Sequence, residues 1–198
     1  MKQTPSEIDA LLRLVDREVW IVTAAAGGRR GALTATWVAQ ASIDRERPVI
    51  LAGLAPNHFT TELVEEGQAF VAHLLSESQA GLAWNFARDS GRQRDKLAGQ
   101  ATKEGSTGCP ILQDCLAWFD CRVFARYDAG DRLFYWADVV TAEKRGIGSP
   151  LREQVFVRSL TDEQRKTLAA QREADLEIQR PLAERWRAKC GKSGGSKV

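Results

Sequence analysis

Long apolar runs rich in β-branched residues dominate the first three quarters of the chain and predict a protein built mainly from strands. Six segments share this pattern: residues 19–23, 32–43, 49–54, 69–75, 115–127 and 132–142. Glycine-rich or Asp-rich stretches at 26–31 and 128–131 separate neighbouring segments and predict antiparallel hairpins. The run over 49–54 is apolar throughout, which is typical of a strand buried on both faces. Six strands with few inserted helices favour a closed β-barrel with helical decoration.

Helical spacing occurs at the start of the chain, between strands and near the end. Four helices are predicted, over residues 6–17, 57–65, 76–87 and 161–189. Asn57 is the expected N-cap of the second helix, and Pro181 is expected to interrupt the last one. The first helix is amphipathic, because four of its large apolar side chains fall on one stripe. These are Ile8, Leu11, Leu12 and Val15.

Two stretches divide the chain by composition. Residues 88–110 hold four glycines and many charges and predict a long surface loop of the kind that is usually functional. After residues 146–150 the chain becomes strongly charged. We therefore expect a barrel domain over 1–150, a helical extension over 151–190 and a disordered tail over 191–198. The extension has too few apolar residues to be buried all round, so it should lie across a barrel surface or a second subunit.

Composition and charge exclude several classes of protein. Lys and Arg number 28 against 26 Asp and Glu, so strong attraction to nucleic acid is not expected. Charges interrupt every apolar run well before the roughly 20 residues that a membrane span needs. No secretory signal is recognisable, which predicts a cytoplasmic protein with reduced cysteines. With two histidines and no Cys-x-x-Cys pair, we expect no metal site. The usual nucleotide-binding glycine motifs and a serine-hydrolase elbow are also missing.

Few side chains remain that could carry chemistry of their own. His73, inside a predicted strand, is expected to bond neighbouring backbone groups. Cys115 and Cys121 are six residues apart in a predicted strand, so we expect both thiols on the same side of it and buried. Arg29 and Arg30 are expected to be solvated at a hairpin tip, with contact to a nucleotide phosphate as the alternative.

A protein with so few acid and base groups can still be an enzyme if a cofactor supplies the reactivity. Hydride transfer to a flavin is such a reaction. A flavin requires backbone amides and small side chains along its polar ring edge, donors for its phosphate, and apolar cover for its faces. The sequence offers each of these.

An ordered set of short motifs carries a family resemblance. In chain order these are Leu33-Thr34-Ala35-Thr36-Trp37, the apolar strand ending at Ala52-Gly53, Asn57-His58-Phe59-Thr60, the segment 70–79 with Phe86, and Asp95-Lys96. Together they resemble the flavin reductase-like, FMN-binding split-barrel family, which has a mainly β fold. The resemblance extends over about residues 14–143 and rests on the order and spacing of the motifs, since no single one is diagnostic.

The resemblance implies FMN as the cofactor of the 1–150 domain. Residues 33–37 would line the isoalloxazine edge, Ala52 and Gly53 would pass close to the ribityl chain, and Asn57 with Thr60 would hold the phosphate at a helix start. His58 is expected to be exposed, with phosphate proximity as the alternative. The implied cofactor-binding residues are Leu33, Thr34, Ala35, Thr36, Trp37, Ala52, Gly53, Asn57, Thr60, Phe86 and Lys96. Trp37 and Phe86 have an equally good interpretation as core residues.

The resemblance also implies a homodimeric oxidoreductase that transfers hydride from NAD(P)H to FMN and passes electrons to oxygen or a partner monooxygenase. Many reductases of the family carry a histidine after the Gly-Asp turn, where this chain has Arg132, so the nucleotide preference stays open. Arg132 favours the alternative of an FMN-binding electron-transfer or flavin-holding protein without efficient NAD(P)H turnover. A barrel that binds nucleic acid or a protein partner without flavin is the other alternative.

Overall fold

A curled sheet forms the centre of the computed structural model, which describes residues 3–193, with side chains to residue 191. In chain order the strands are β1 (Trp20–Ala26), β2 (Arg29–Ala35), β3 (Val38–Gln40), β4 (Val49–Leu54), β5 (Ala69–Leu74), β6 (Thr102–Glu104), β7 (Pro110–Leu112), β8 (Ala117–Asp128) and β9 (Leu133–Lys144). All except β6 and β7, which pair with each other, form one sheet in the order β2-β1-β5-β8-β9-β4-β3. Every neighbouring pair is antiparallel, as predicted.

The sheet curls because its two edge strands are joined by only two residues. β2 and β3 lie at opposite ends of the strand order, yet Thr36 and Trp37 alone connect them. Three peptide units span at most about 11 Å, so the two edges must approach each other. The result is a split barrel, and the predicted fold class is confirmed.

Five helices surround the sheet in the described residues. They are α1 (Pro5–Leu12), α2 (Phe59–Gly67), α3 (Ala80–Ala87), α4 (Glu153–Ser159) and α5 (Asp162–Ser193). α1 is capped by Thr4, whose hydroxyl and backbone exchange hydrogen bonds with Glu7. No residue of α1 is buried, so its apolar stripe faces outward in the single chain. Within the described residues no helix is long and apolar enough to cross a membrane.

Two apolar clusters pack against opposite faces of the sheet. Phe70 and Ala72 of β5 belong to the cluster inside the curled sheet, whereas Ala69 and Val71 belong to the outer cluster with α3, β7 and α4. β1 divides its residues in the same way. Burial of both faces explains why these two strands are continuously apolar in sequence. β4 differs from the prediction in its first half, because Val49 and Leu51 are only half-buried, whereas Ile50 and the last three residues are buried.

Three other local predictions are wrong, for identifiable reasons. The strand expected over 32–43 breaks after Ala35, where the chain crosses between the edges of the sheet. The segment 88–110 is not a plain loop, since it contains β6 and pairs it with β7. Pro181 does not interrupt α5; its position is exposed, so water can bond the carbonyl that loses its partner. α5 continues to Ser193, and the rest of the predicted tail, 194–198, lies outside the described residues.

The thiols of Cys115 and Cys121 are both buried, as predicted, but they do not share one side of a strand. β8 begins only at Ala117 and has an irregularity between Asp120 and Cys121. Such an irregularity resets the alternation of side chains. Cys121 therefore lies in the inner cluster and Cys115 in the outer one.

His73 is fully buried in β5 and bonded at both ring nitrogens. Its Nδ1 lies 3.0 Å from the Ile21 carbonyl oxygen, and its Nε2 accepts the Leu112 N–H at 3.0 Å. This pattern requires the neutral ring with the proton on Nδ1. The prediction that His73 bonds backbone groups is confirmed. Burial lowers its pKa to about 4.

Candidate functional site

A cavity of about 130 Å³ lies where the curled sheet is split, between the end of β2 and the end of β4. Its walls come from the β2–β3 connection, β4, the residues that precede α2, and the start of β9. They are Leu33, Thr34, Ala35, Thr36, Trp37, Gly53, Leu54, Ala55, His58 and Arg132. Five consecutive residues of the predicted set and Gly53 are thus brought together.

Unused backbone donors mark this cavity. β2 is an edge strand, so one side of it faces no neighbour in the sheet. Beyond its end, neither the Thr36 nor the Trp37 N–H donates a hydrogen bond to any residue in the described part of the chain. The Trp37 carbonyl is used, because it accepts the Gly53 N–H at 2.7 Å. Free N–H groups beside a cavity are suited to a ligand with an acceptor edge.

Gly53 lies against two stacked aromatic rings, of which Trp37 lines the cavity. Trp37 and Phe134 stack with 6.2 Å between ring centroids and an interplanar angle of 12°. A Cβ on Gly53 would lie 2.9 Å from Phe134 Cε1 and 3.3 Å from Trp37 Cε3. The ring positions therefore require a residue without a side chain.

The start of α2 lies beside the cavity and is occupied by a carboxylate. The N-cap is His58, one residue after the predicted Asn57, and it makes no side-chain capping bond. Asn57 Nδ2 instead donates to Asp175 Oδ1 of α5 at 2.7 Å, and His58 Nε2 lies 3.1 Å from Asp175 Oδ2. The His58 bond is the main reason why the pKa of Asp175 is lowered.

Arg132 closes the opposite side and is also joined to α5. Its guanidinium carbon lies 4.9 Å from the Trp37 ring centroid, a cation–π contact. Its Nη1 donates to Gln179 Oε1 at 2.6 Å, and Gln179 Nε2 donates to Asn57 Oδ1 at 3.1 Å. Gln179 is only 5% exposed. α5 therefore bridges both sides of the cavity.

Comparison with known proteins shows to which family the chain belongs. The family model described as the flavin reductase like domain matches residues 12–158, nearly the whole sheet with its inserted helices. The chain belongs to the flavin reductase-like family. This membership confirms the resemblance found in the sequence and supports a flavin as the cofactor of the chain.

Individual relatives of this flavin reductase-like chain agree. It is 29% identical over 140 residues to diflavin flavoprotein A 1 of Synechocystis sp., covering 70% of this chain and 24% of that protein. It is 32% identical over 130 residues to a protein of Rhizobium meliloti named "Probable flavin reductase", covering 65% and 40%. A solved flavin reductase domain protein of Arthrobacter sp. superposes with a TM-score of 0.68 at 22% identity, covering 75% and 90%. The matched region spans only 21–26% of the diflavin relatives.

Four other predicted site residues of the flavin reductase-like chain do not line the cavity. Ala52 points into the inner cluster, and Thr60 is buried in the first turn of α2. Phe86 is buried in the outer cluster. Lys96 Nζ donates to the Phe86 carbonyl at 2.8 Å, a bond that caps the end of α3. Burial lowers the pKa of Lys96 to about 8.

A larger cleft of about 510 Å³ opens at the far end of β1 and β2, but its charges are already matched. Arg29 pairs with Glu66, Arg30 lies 3.0 Å from Asp95, and Lys103 lies 3.3 Å from Glu143. Every cation among the described residues that line this cleft is paired, and the lining includes none of the predicted cofactor-binding residues. The smaller cavity at the split is therefore the better candidate.

Asp175 and Gln179 are the site residues that sequence reasoning missed. Both lie in a charged helix without an apolar pattern, about 120 positions from Asn57 and His58, and the family resemblance ends before them. His58 and Arg132 carried a signal, since each lies next to a family motif.

Proposed function

We propose that the chain is an FMN-binding oxidoreductase that transfers hydride from NAD(P)H to the flavin. The free N–H groups of Thr36 and Trp37 at the split of the barrel, in a chain of the flavin reductase-like family, carry this proposal. We further propose that it acts as a homodimer and supplies reduced flavin to oxygen or a partner monooxygenase. The exposed apolar stripe of α1 supports a subunit contact, since such patches commonly mark interfaces.

The residues at the cavity suit a flavin chemically. Small side chains at Ala35, Gly53 and Ala55 let a planar ring approach the backbone, and Trp37 offers an exposed aromatic surface. Asn57 and the start of α2 offer donors for a phosphate. These donors are held by the fold before a ligand arrives.

When bound, a flavin supplies the hydride-accepting ring that the side chains of the protein lack. The chain's own contribution is electrostatic and positional. The fixed N–H groups of Thr36 and Trp37 can stabilise negative charge that develops on an adjacent acceptor, and preorganised donors of this type need no rearrangement during reaction. Arg132 adds a positive charge on the same cavity wall.

The test is anaerobic mixing of the purified protein and FMN with NADH or NADPH. A reductase is expected to bleach the yellow absorbance of the flavin faster than samples without the protein do. Those samples give the background rate of flavin reduction by the nicotinamide. FMN binding without bleaching would contradict the reductase and leave the electron-carrier alternative, which the engagement of Arg132 by Gln179 and Trp37 favours. If the protein does not bind FMN at all, both the reductase and the electron-carrier alternative are contradicted.

Gly53→Ala is expected to weaken flavin binding about tenfold, which corresponds to about 1.4 kcal/mol. The new methyl group must displace the ring of Trp37, which lines the cavity, together with the ring of Phe134 stacked on it. Quenching of flavin fluorescence measures the dissociation constant. Gly81→Ala is the matched control, because a Cβ there meets nothing within 4 Å. Equal affinities of the two variants would contradict the assignment of this wall to the flavin site.

A further inference from the structure

The Asp175 carboxylate lies where the proposed function requires an anion. Its two oxygens contact Asn57 and His58 at 2.7 and 3.1 Å, at the N-terminal end of α2. A flavin phosphate would need the same donors and the same helix end. Carboxylate and phosphate carry the same sign of charge, so they cannot both occupy this position without strong repulsion.

Gln179 fixes α5 beside the cavity, because it bonds Asn57 on one side and Arg132 on the other. No α5 residue that the structure describes is among those that line the cavity of about 130 Å³, so the conflict concerns the phosphate position and not the space for the ring. A phosphate that reaches Asn57 would therefore require that α5 move.

The contact between α5 and the barrel is only partly buried. Among the α5 side chains that the structure describes, 162–191, Gln179 alone is buried. Leu168 is half-buried against the outer cluster, and Trp186 meets Tyr127 edge to face at 6.4 Å between centroids while only half-buried. Half-buried apolar side chains and partly exposed polar pairs contribute less to stability than a closed core, so we expect this helix to detach more readily than the sheet unfolds.

We propose that α5 is an internal lid, with Asp175 as a built-in anion that competes with the phosphate of FMN for Asn57, His58 and the start of α2. In the closed form the site is blocked, and phosphorylated flavin binds only when α5 has swung away. This inference rests on the proposed function, because it assigns the phosphate end of the same flavin site.

The lid is tested in the full-length protein by comparing FMN with riboflavin, which lacks the phosphate. Asp175→Asn keeps the shape of the side chain and removes its charge. We expect this variant to bind FMN at least tenfold more tightly than the unmodified chain does, with a change of less than about twofold for riboflavin. Glu177→Gln is the control, because it removes a charge from an exposed position of the same helix and should leave the ratio of affinities unchanged.

Hydrogen exchange supplies a second measurement that does not depend on activity. Saturating FMN is expected to speed exchange of the backbone amides over 172–187, since an undocked polar helix frays. Slower exchange with FMN would overturn the proposal, because α5 would then clamp a bound flavin. Equal FMN-to-riboflavin ratios in all three proteins would also overturn it while leaving flavin binding intact. If neither flavin binds to any of them, the proposed function fails, and the lid fails with it.

Discussion

Lowering the pH from 6.5 to about 4 is expected to remove about 3 kcal/mol of the free energy of unfolding through His73. The unfolded chain takes up a proton on this ring near pH 6.5, whereas the folded chain resists until about pH 4 because the ring is buried. The unfolded state therefore binds more protons across this window. The contribution is fully present above pH 6.5 and is lost progressively as the pH falls.

Urea unfolding at several pH values, compared between the unmodified protein and His73→Gln, measures this effect. The glutamine is expected to lower stability at neutral pH, since it replaces a ring that bonds Ile21 and Leu112. Its stability should then depend less on pH between 4 and 6.5. Carboxylates whose pKa is lowered, such as those of Asp95 and Asp175, reduce the free energy of unfolding of both proteins as the pH falls. Their effect cancels when the two proteins are compared. If the free energies of unfolding of the two proteins change with pH in parallel, His73 is not the cause of the acid sensitivity.

Gly130→Ala is expected to undock α5. Gly130 has a φ of +85°, and a Cβ there would lie 2.6 Å from the Leu182 carbonyl oxygen and 2.8 Å from Trp186 Cβ. Since a carbonyl of the helix backbone cannot rotate away, the whole helix must shift. We expect hydrogen exchange over 172–187 to accelerate at least tenfold. The free energy of unfolding should also fall by about 1–2 kcal/mol, because alanine is strained in the left-handed conformation.

Gly108→Ala is the control that introduces the backbone strain without a clash against α5. Gly108 has nearly the same φ, +86°, but a Cβ there meets nothing within 4 Å. This variant should show the loss of stability without faster exchange in α5. Similar exchange of α5 in both variants would show that the turn at Gly130 does not hold the helix.

The sequence was most informative where burial is simple. β1 and β5 are buried on both faces, so their apolar runs are continuous, and both strands are predicted with ends that differ by at most three residues. The division of the 32–43 run was not predictable, because neither Thr36 nor Trp37 is a residue that breaks strands. The break arises from closure of the sheet, which depends on pairing between strands far apart in sequence.

The site shows the same division between local and long-range information. The family resemblance placed residues 33–37 and Gly53 together, and the structure brings them to one cavity. It gave no indication of Asp175, because a carboxylate in a charged helix looks like any solvated residue until its partners are known. Contact with the barrel surface was expected for this helix, but the point of contact is set by hydrogen bonds between single side chains, which leave no periodic signal.

The cysteines offer a direct way to follow α5. Burial raises the pKa of Cys109, of Cys115 to about 11, and of Cys121, so all three are poor nucleophiles at neutral pH. Cys190 is the exposed thiol and lies near the end of α5. A maleimide dye added to the unmodified protein should therefore attach at one place, and its polarisation would report how freely that helix tumbles.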